Sequence, residues 1–177
     1  MSWAASALWI FPSTSRGRRC AGIASAPVAN TFSAVIEGWT RRVQEAEEAV
    51  FKEAAQELVK QLNDQITEMV YDTPETPNYR RTGFLRASLM ASTEAMPQLV
   101  RDNPGAQINA DNGDVILVIA GAELGDTIYL GYTAKYGQFV HRGANGRAPR
   151  PWVDLVAQRW QQIVADKAAM VKQRFGL

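Results

Sequence analysis

The sequence has one cysteine and one histidine among 177 residues. Cys20 alone rules out an intrachain disulfide, and His141 alone rules out a metal site built from several His or Cys ligands. No apolar run approaches the roughly 20 residues that span a bilayer, so no membrane partner is expected. Phosphate-binding glycine loops ending in GK[ST] and GxSxG elbows are absent, and no Cys or Ser is spaced from His141 as a nucleophile. No catalytic, cofactor-binding or metal-binding residue is therefore expected, and the chain reads as a non-enzyme. Charge of one sign is missing too: 19 Lys and Arg face 18 Asp and Glu, for a formal charge of +1. A dedicated nucleic-acid coat is usually far more basic. Acid is also missing locally, because residues 1–36 contain no Asp or Glu but do contain Arg16, Arg18 and Arg19.

That acid-free start has three readings. Its apolar stretch, Trp3 to Pro12, precedes the arginines, the reverse of a secretory signal. Repeated arginine spacing of an amphipathic presequence is lacking. The remaining reading is a disordered leader, or a start codon placed too early with Val28 as the initiator, giving residues 1–30 as leader and 31–177 as a single domain. Beyond the leader the balance reverses, since residues 28–177 hold 16 basic and 18 acidic residues.

From Thr31 to Val70, apolar residues recur at Ile36, Trp39, Val43, Ala46, Val50, Ala54, Leu58, Leu62, Ile66 and Met69. Steps of three and four place them on one face of a long helix. Thr31 or Ser33 is the candidate cap. Such a helix is roughly 55 Å long, more than a compact domain of this size requires, so its stripe needs cover from the sheet, another helix or a neighbouring subunit. Pro74 and Pro77 end it. Alternation over Phe84–Thr93 predicts a half-buried strand. Residues 94–113 predict a long loop. Val115–Ala120, apolar on both faces, predicts a central strand that forms a hairpin with Thr127–Thr133. Tyr136–His141 predicts a short helical turn, and Pro151 opens a final helix to about Arg174. The fold class expected is α+β, with a long N-terminal helix and a C-terminal helix packed on a small antiparallel β-sheet.

Two basic groups stand out. Arg80, Arg81 and Arg86 surround Thr82-Gly83, and Lys135, Arg142, Arg147 and Arg150 lie in a stretch without acid between Asp126 and Asp154. They fit phosphate contact, acidic patches of a partner subunit, or a solvated surface. Asp111, Asp114, Glu123 and Asp126 flank turns, where such residues commonly make local hydrogen bonds. Trp39, Trp152 and Trp160 read as core, and some of Tyr129, Tyr132 and Tyr136 as interface residues.

Thr82-Gly83-Phe84-Leu85-Arg86-Ala87-Ser88-Leu89 resembles the TGxLRxS motif of the tail-completion, or head–tail joining, family of long-tailed bacteriophages and prophages of lambdoid siphophage type. Tyr132-Thr133-Ala134-Lys135-Tyr136-Gly137-Gln138-Phe139-Val140 is similar to the family's second signature, which leads into a basic, Pro-containing loop and a C-terminal helix. Here that loop holds Gly143, Arg147, Ala148, Pro149, Arg150, Pro151 and Trp152. The family often has Glu where this chain has His141. The resemblance covers residues 31–174. It implies a structural virion protein of the neck, built in the bacterial host cytoplasm, from a phage, a prophage or a gene transfer agent. Implied partners are other copies of itself in a ring, the head connector or stopper, and the tail tube, with DNA passing transiently. Implied interface residues are Arg86, Tyr136, His141, Arg142, Arg147 and Arg150, with Gly83 and Gly143 as backbone-permissive positions.

Overall fold

A computed structural model describes residues 31–74 and 80–177. The expectations for residues 1–30, Cys20 and Val28 among them, and for Pro77 lie outside the described residues. The architecture is α+β, with a long N-terminal helix, a C-terminal helix and a two-stranded antiparallel sheet. In chain order the elements are α1 (Phe32–Ile66), β1 (Leu89–Ser92), α2 (Gly113–Gly121), β2 (Tyr129–Tyr132), α3 (Gly137–Arg142), α4 (Trp152–Gln158) and α5 (Trp160–Phe175).

Helix α1 starts at Thr31, whose hydroxyl accepts the Ala34 amide; of the two candidate caps, the structure uses this one. Thr67–Tyr71 continues α1 as a π-helical turn, closed by the Asp72 amide on the Thr67 carbonyl at 2.9 Å. Its solvent side is the line Lys60, Asp64, Glu68, and its other faces are covered over most of the second half. Helix α5 runs antiparallel beside it. Lys167 meets Glu57 at 3.0 Å, and Arg174, further along α5, meets Glu53, earlier on α1, at 2.7 Å. The Lys167 ammonium holds the Glu57 carboxyl below the usual carboxylate range, with a further contribution from Gln61 and opposition from burial.

The expected central strand at 115–120 is a helix, α2, and its hairpin with 127–133 does not form. Instead β2 pairs with β1, in the register Leu89 with Tyr132 and Ser92 with Tyr129. The physical reason is economy of cover. A short apolar run fits a strand or a buried helix equally well by pattern. As a helix, Val115 and Ile119, four residues apart, both reach the cluster of Ala55, Val59 and Leu89. The expected strand at 84–93 shortens to 89–92, because Arg86–Ser88 forms a 3-10 turn. The single final helix divides at Arg159, whose φ and ψ of −87° and −3° separate α4 from α5. That bend lets Trp152 and Val156 enter the main cluster while Ile163 and Val171 are buried from α5.

The main cluster joins Leu62, Ile66 and Val70 of the long helix to Phe84, Leu85, Ala134, Trp152 and Val156. The 94–113 connection is tied to this body. Arg101 pairs with the backbone of Thr133 and Lys135 at 2.8 and 3.0 Å, and the Ile108 amide donates to the Thr82 carbonyl at 2.7 Å.

Candidate assembly surfaces

The two segments that carry the family resemblance meet in space. Leu85 is fully buried against Gly137, where a Cβ would sit 3.1 Å from its Cδ1, and the Phe84 and Tyr136 rings lie 6.3 Å apart. The Thr133 amide and hydroxyl both donate to the Ser88 carbonyl, at 2.9 and 3.0 Å. At Gly83, φ is +77° and a Cβ would lie 2.1 Å from the Ile108 carbonyl oxygen, so a side chain is excluded both by conformation and by the close approach of the 94–113 connection.

Arg86 and Arg81 turn inward. Arg86 donates to the Thr67 hydroxyl at 3.0 Å, and its guanidinium lies 5.1 Å from the Tyr71 ring centre. Arg81 donates to the Tyr71 carbonyl, to the Thr73 hydroxyl and to the Pro74 carbonyl. Together they clamp the C-terminal end of the long helix, where carbonyls lack helical partners and the dipole favours cations. Arg86, half-buried, is thus engaged at a joint within the chain. Tyr136 is half-buried on the main cluster.

His141 is also internal. Its ring is 5% exposed, meets Trp152 edge-on at 4.9 Å, and bonds through Nε2 to Asp154 Oδ2 at 3.1 Å. That contact ties α3 to the first turn of α4. The loop between them turns at Gly143, where φ is +78° and a Cβ would be 2.6 Å from the Arg147 carbonyl oxygen. The Arg150 amide closes the loop on the Val140 and His141 carbonyls at 3.2 and 3.0 Å. Arg142 and Arg147 are exposed and Arg150 is half-exposed along the loop. The acidic residues of the 111–126 stretch make local bonds: Asp111 accepts the Gly113 amide and Asp126 the Glu123 amide. Among the described residues no three Asp, Glu, His or Cys side chains converge as metal ligands, and no helix is long and apolar enough to cross a membrane.

No family model, curated protein or solved structure matches this chain. The largest departure is on α1. Residues 31–42 are all exposed, including Phe32 at 81%, Val35, Ile36 and Trp39 at 51%. Trp39, expected in the core, is thus outside it, whereas Trp152 is buried and Trp160 half-buried. No described residue covers this stretch, since the cover begins with Ala46. The spacing 32, 36, 39, 43, 46, 50 alternates four and three, the seam of a helix made to pack on another helix. The sequence stripe includes Ile36, Trp39 and Val43 but not Phe32 or Val35, and it does not show which end lacks cover, because period alone does not say where a neighbour stops.

A second apolar surface was missed altogether. With α2 helical, Val115 and Ile119 face inward, and Ile116, Leu117 and Ala120 are left on the outer side, followed by exposed Leu124. A strand reading of 115–120 had assigned both of its faces to the interior.

Proposed function

We propose that this protein is a structural assembly component, and that the assembly is the neck of a long-tailed phage, prophage or gene transfer agent, where it completes or terminates the tail and joins it to the head as a ring. The observation that carries the assembly reading is the bare first third of α1. Isolated monomers rarely expose a contiguous apolar stripe containing Phe, Ile and Trp, and a helix seam without a partner points to one supplied by another chain. The virion reading is supported by the TGxLRxS-like and second-signature segments, which pack together around Leu85 and Gly137. The outward arginines Arg142, Arg147 and Arg150 are proposed to meet acidic surfaces of the connector or tail tube. The chain's near-neutral charge suits a part that DNA passes without being gripped, because dense phosphate contact would oppose passage.

The test is location. An antibody against the chain, applied to particles released by the encoding bacterium, should label the head–tail junction in electron micrographs. Purified particles that lack the chain overturn the neck assignment. In the same system, Arg147→Glu together with Arg150→Glu should leave the soluble chain folded and lower the yield of joined particles; an unchanged yield removes the basic loop from the interface.

A further inference from the structure

Two exposed apolar surfaces, the projecting part of α1 and the outer side of α2, lie in segments of opposite charge: residues 1–43 hold five Arg and one Glu, and residues 102–134 hold five acidic residues and no Lys or Arg. On α1, the stripe Phe32, Ile36, Trp39 is flanked by exposed Arg42, with exposed Glu37 and Arg41 towards the opposite face at 3.6 residues per turn, and the sequence before the stripe is free of acid as far back as Met1. On α2, Ile116, Leu117 and the following Leu124 are bordered by exposed Asp111, Asp114, Glu123 and Asp126. No Lys or Arg occurs between Arg101 and Lys135, so the acidic border is not neutralised within its own segment.

The two surfaces cannot meet within one chain. Helix α2 packs against α1 at Ala55 and Val59. Trp39 lies twenty residues before Val59 on the same continuous helix, roughly 30 Å away at the α-helical rise. Cover must come from outside. Pairing two α1 arms with each other would bury one stripe and leave the α2 surface bare. Placing the arm of one copy on the α2 surface of another buries both and brings Arg42, at the edge of the stripe, towards carboxylates.

We propose that the arm Phe32–Val43 of one copy docks on the outer face of α2 of a second copy. The contact is heterologous: each copy gives its arm to one neighbour and receives an arm from another. Contacts of that kind close into a ring when the rotation allows. This inference rests on the reading of the chain as a self-assembling part, and it names the two surfaces that do the assembling.

A mixing experiment tests it with the full-length chain, by light scattering after size exclusion and by analytical ultracentrifugation. Trp39→Asp disables the arm, and Leu117→Asp disables the α2 face. Both positions are exposed, and unchanged circular dichroism and thermal midpoints establish that each variant is folded. The wild type is expected to associate, and each variant alone to be monomeric, with at least a tenfold weaker apparent Kd. Mixed in equal amounts, the variants should form a one-to-one heterodimer and nothing larger, because one intact arm meets one intact face. Association of the wild type should weaken as salt is raised from low to high, since the basic segment that carries the arm meets an acidic one. The proposal is overturned if Leu117→Asp associates as the wild type does, which would mean arm-on-arm pairing or another surface. It is overturned equally if the mixed variants stay monomeric, or if the wild type is monomeric at high concentration because residues 1–30 or an unrelated partner cover the arm. Neck labelling of particles is read independently, so a monomeric wild type with labelled necks removes the pairing and leaves the neck assignment standing.

Discussion

The two ends of α1 belong to one helix with one apolar stripe, yet they have opposite surroundings. Ile66 is wholly buried among Val70, Phe84, Leu85 and Trp152, while Ile36, on the same helix, is 45% exposed. Residue type and helical position are matched, so the difference is due only to what lies alongside. At the covered end α4, α5 and the Thr82–Ser88 segment converge; at the projecting end α5 has already stopped, at Phe175 with Gly176 in a left-handed cap. A buried stripe contributes to the stability of the monomer. A bare one contributes almost nothing until a partner arrives, and then contributes to affinity.

The sharpest way to break that comparison is to truncate both isoleucines. Ile66→Ala should cost about 2–5 kcal/mol in urea unfolding, from lost burial plus the cavity left behind. Ile36→Ala should stay within about 0.5 kcal/mol for the monomer while weakening self-association. Equal losses would mean that the arm is packed in the free chain.

The second largest effect is expected at Gly83. Its positive φ and the Ile108 carbonyl both exclude a side chain, so Gly83→Ala should cost at least about 1–3 kcal/mol. Gly105, in the same connection and also at φ +77°, has open space around it, so Gly105→Ala should cost only about 1–2 kcal/mol of left-handed backbone strain. A comparable loss at the two sites would show that the Thr82–Ile108 contact does not anchor the connection.

The smaller effects depend on pH. The Tyr132 ring is half-buried, its hydroxyl is enclosed, and burial pushes its pKa well above the ordinary tyrosine value. The folded state favours the protonated form, so this stabilisation is complete below about pH 10 and is lost as the pH rises through that value towards the folded pKa. Tyr132→Phe should therefore flatten the alkaline arm of the stability profile, and an unchanged arm would assign alkaline unfolding elsewhere. At the other extreme, Glu57 has a lowered pKa beside Lys167. Its contribution is present above about pH 4.3 and is lost as the pH falls through the folded value. The pair is partly solvated, so Glu57→Gln should cost less than about 1 kcal/mol at neutral pH and should reduce the acid sensitivity of α1–α5 packing. An acid profile identical to that of the wild type would show the pair to be idle.

Much of the fold was legible before any coordinates, and the reasons are local. Threonine before an uninterrupted three-four pattern specifies where α1 begins, and Asp72-Thr-Pro forbids its continuation. The β-rich run TIYLGYT contains β2, although its partner is β1 and not 115–120. The glycines at 83 and 143 stand where a turn precedes or follows a dense element. What misled was the run Val115–Ala120. β-Branched residues favour a strand, but that preference is small and yields to whatever buries the most surface. Two polar residues of the motif segments have partners within the chain that the sequence does not show. Arg86 and His141 carry polar groups that suit a surface, yet each has a nearby internal partner, Thr67 with Tyr71 for one and Asp154 for the other.

The sequence by itself determined the long helix, the α+β class, the lack of a multi-ligand His or Cys site and the two glycine-dependent turns, because each follows from spacing or residue type within a few positions. Tertiary structure alone decided that α2 is a helix, that His141 is buried, and that one end of α1 is bare of described cover. Those outcomes depend on which distant segments arrive alongside, and a periodic pattern specifies a face that needs cover without specifying what covers it.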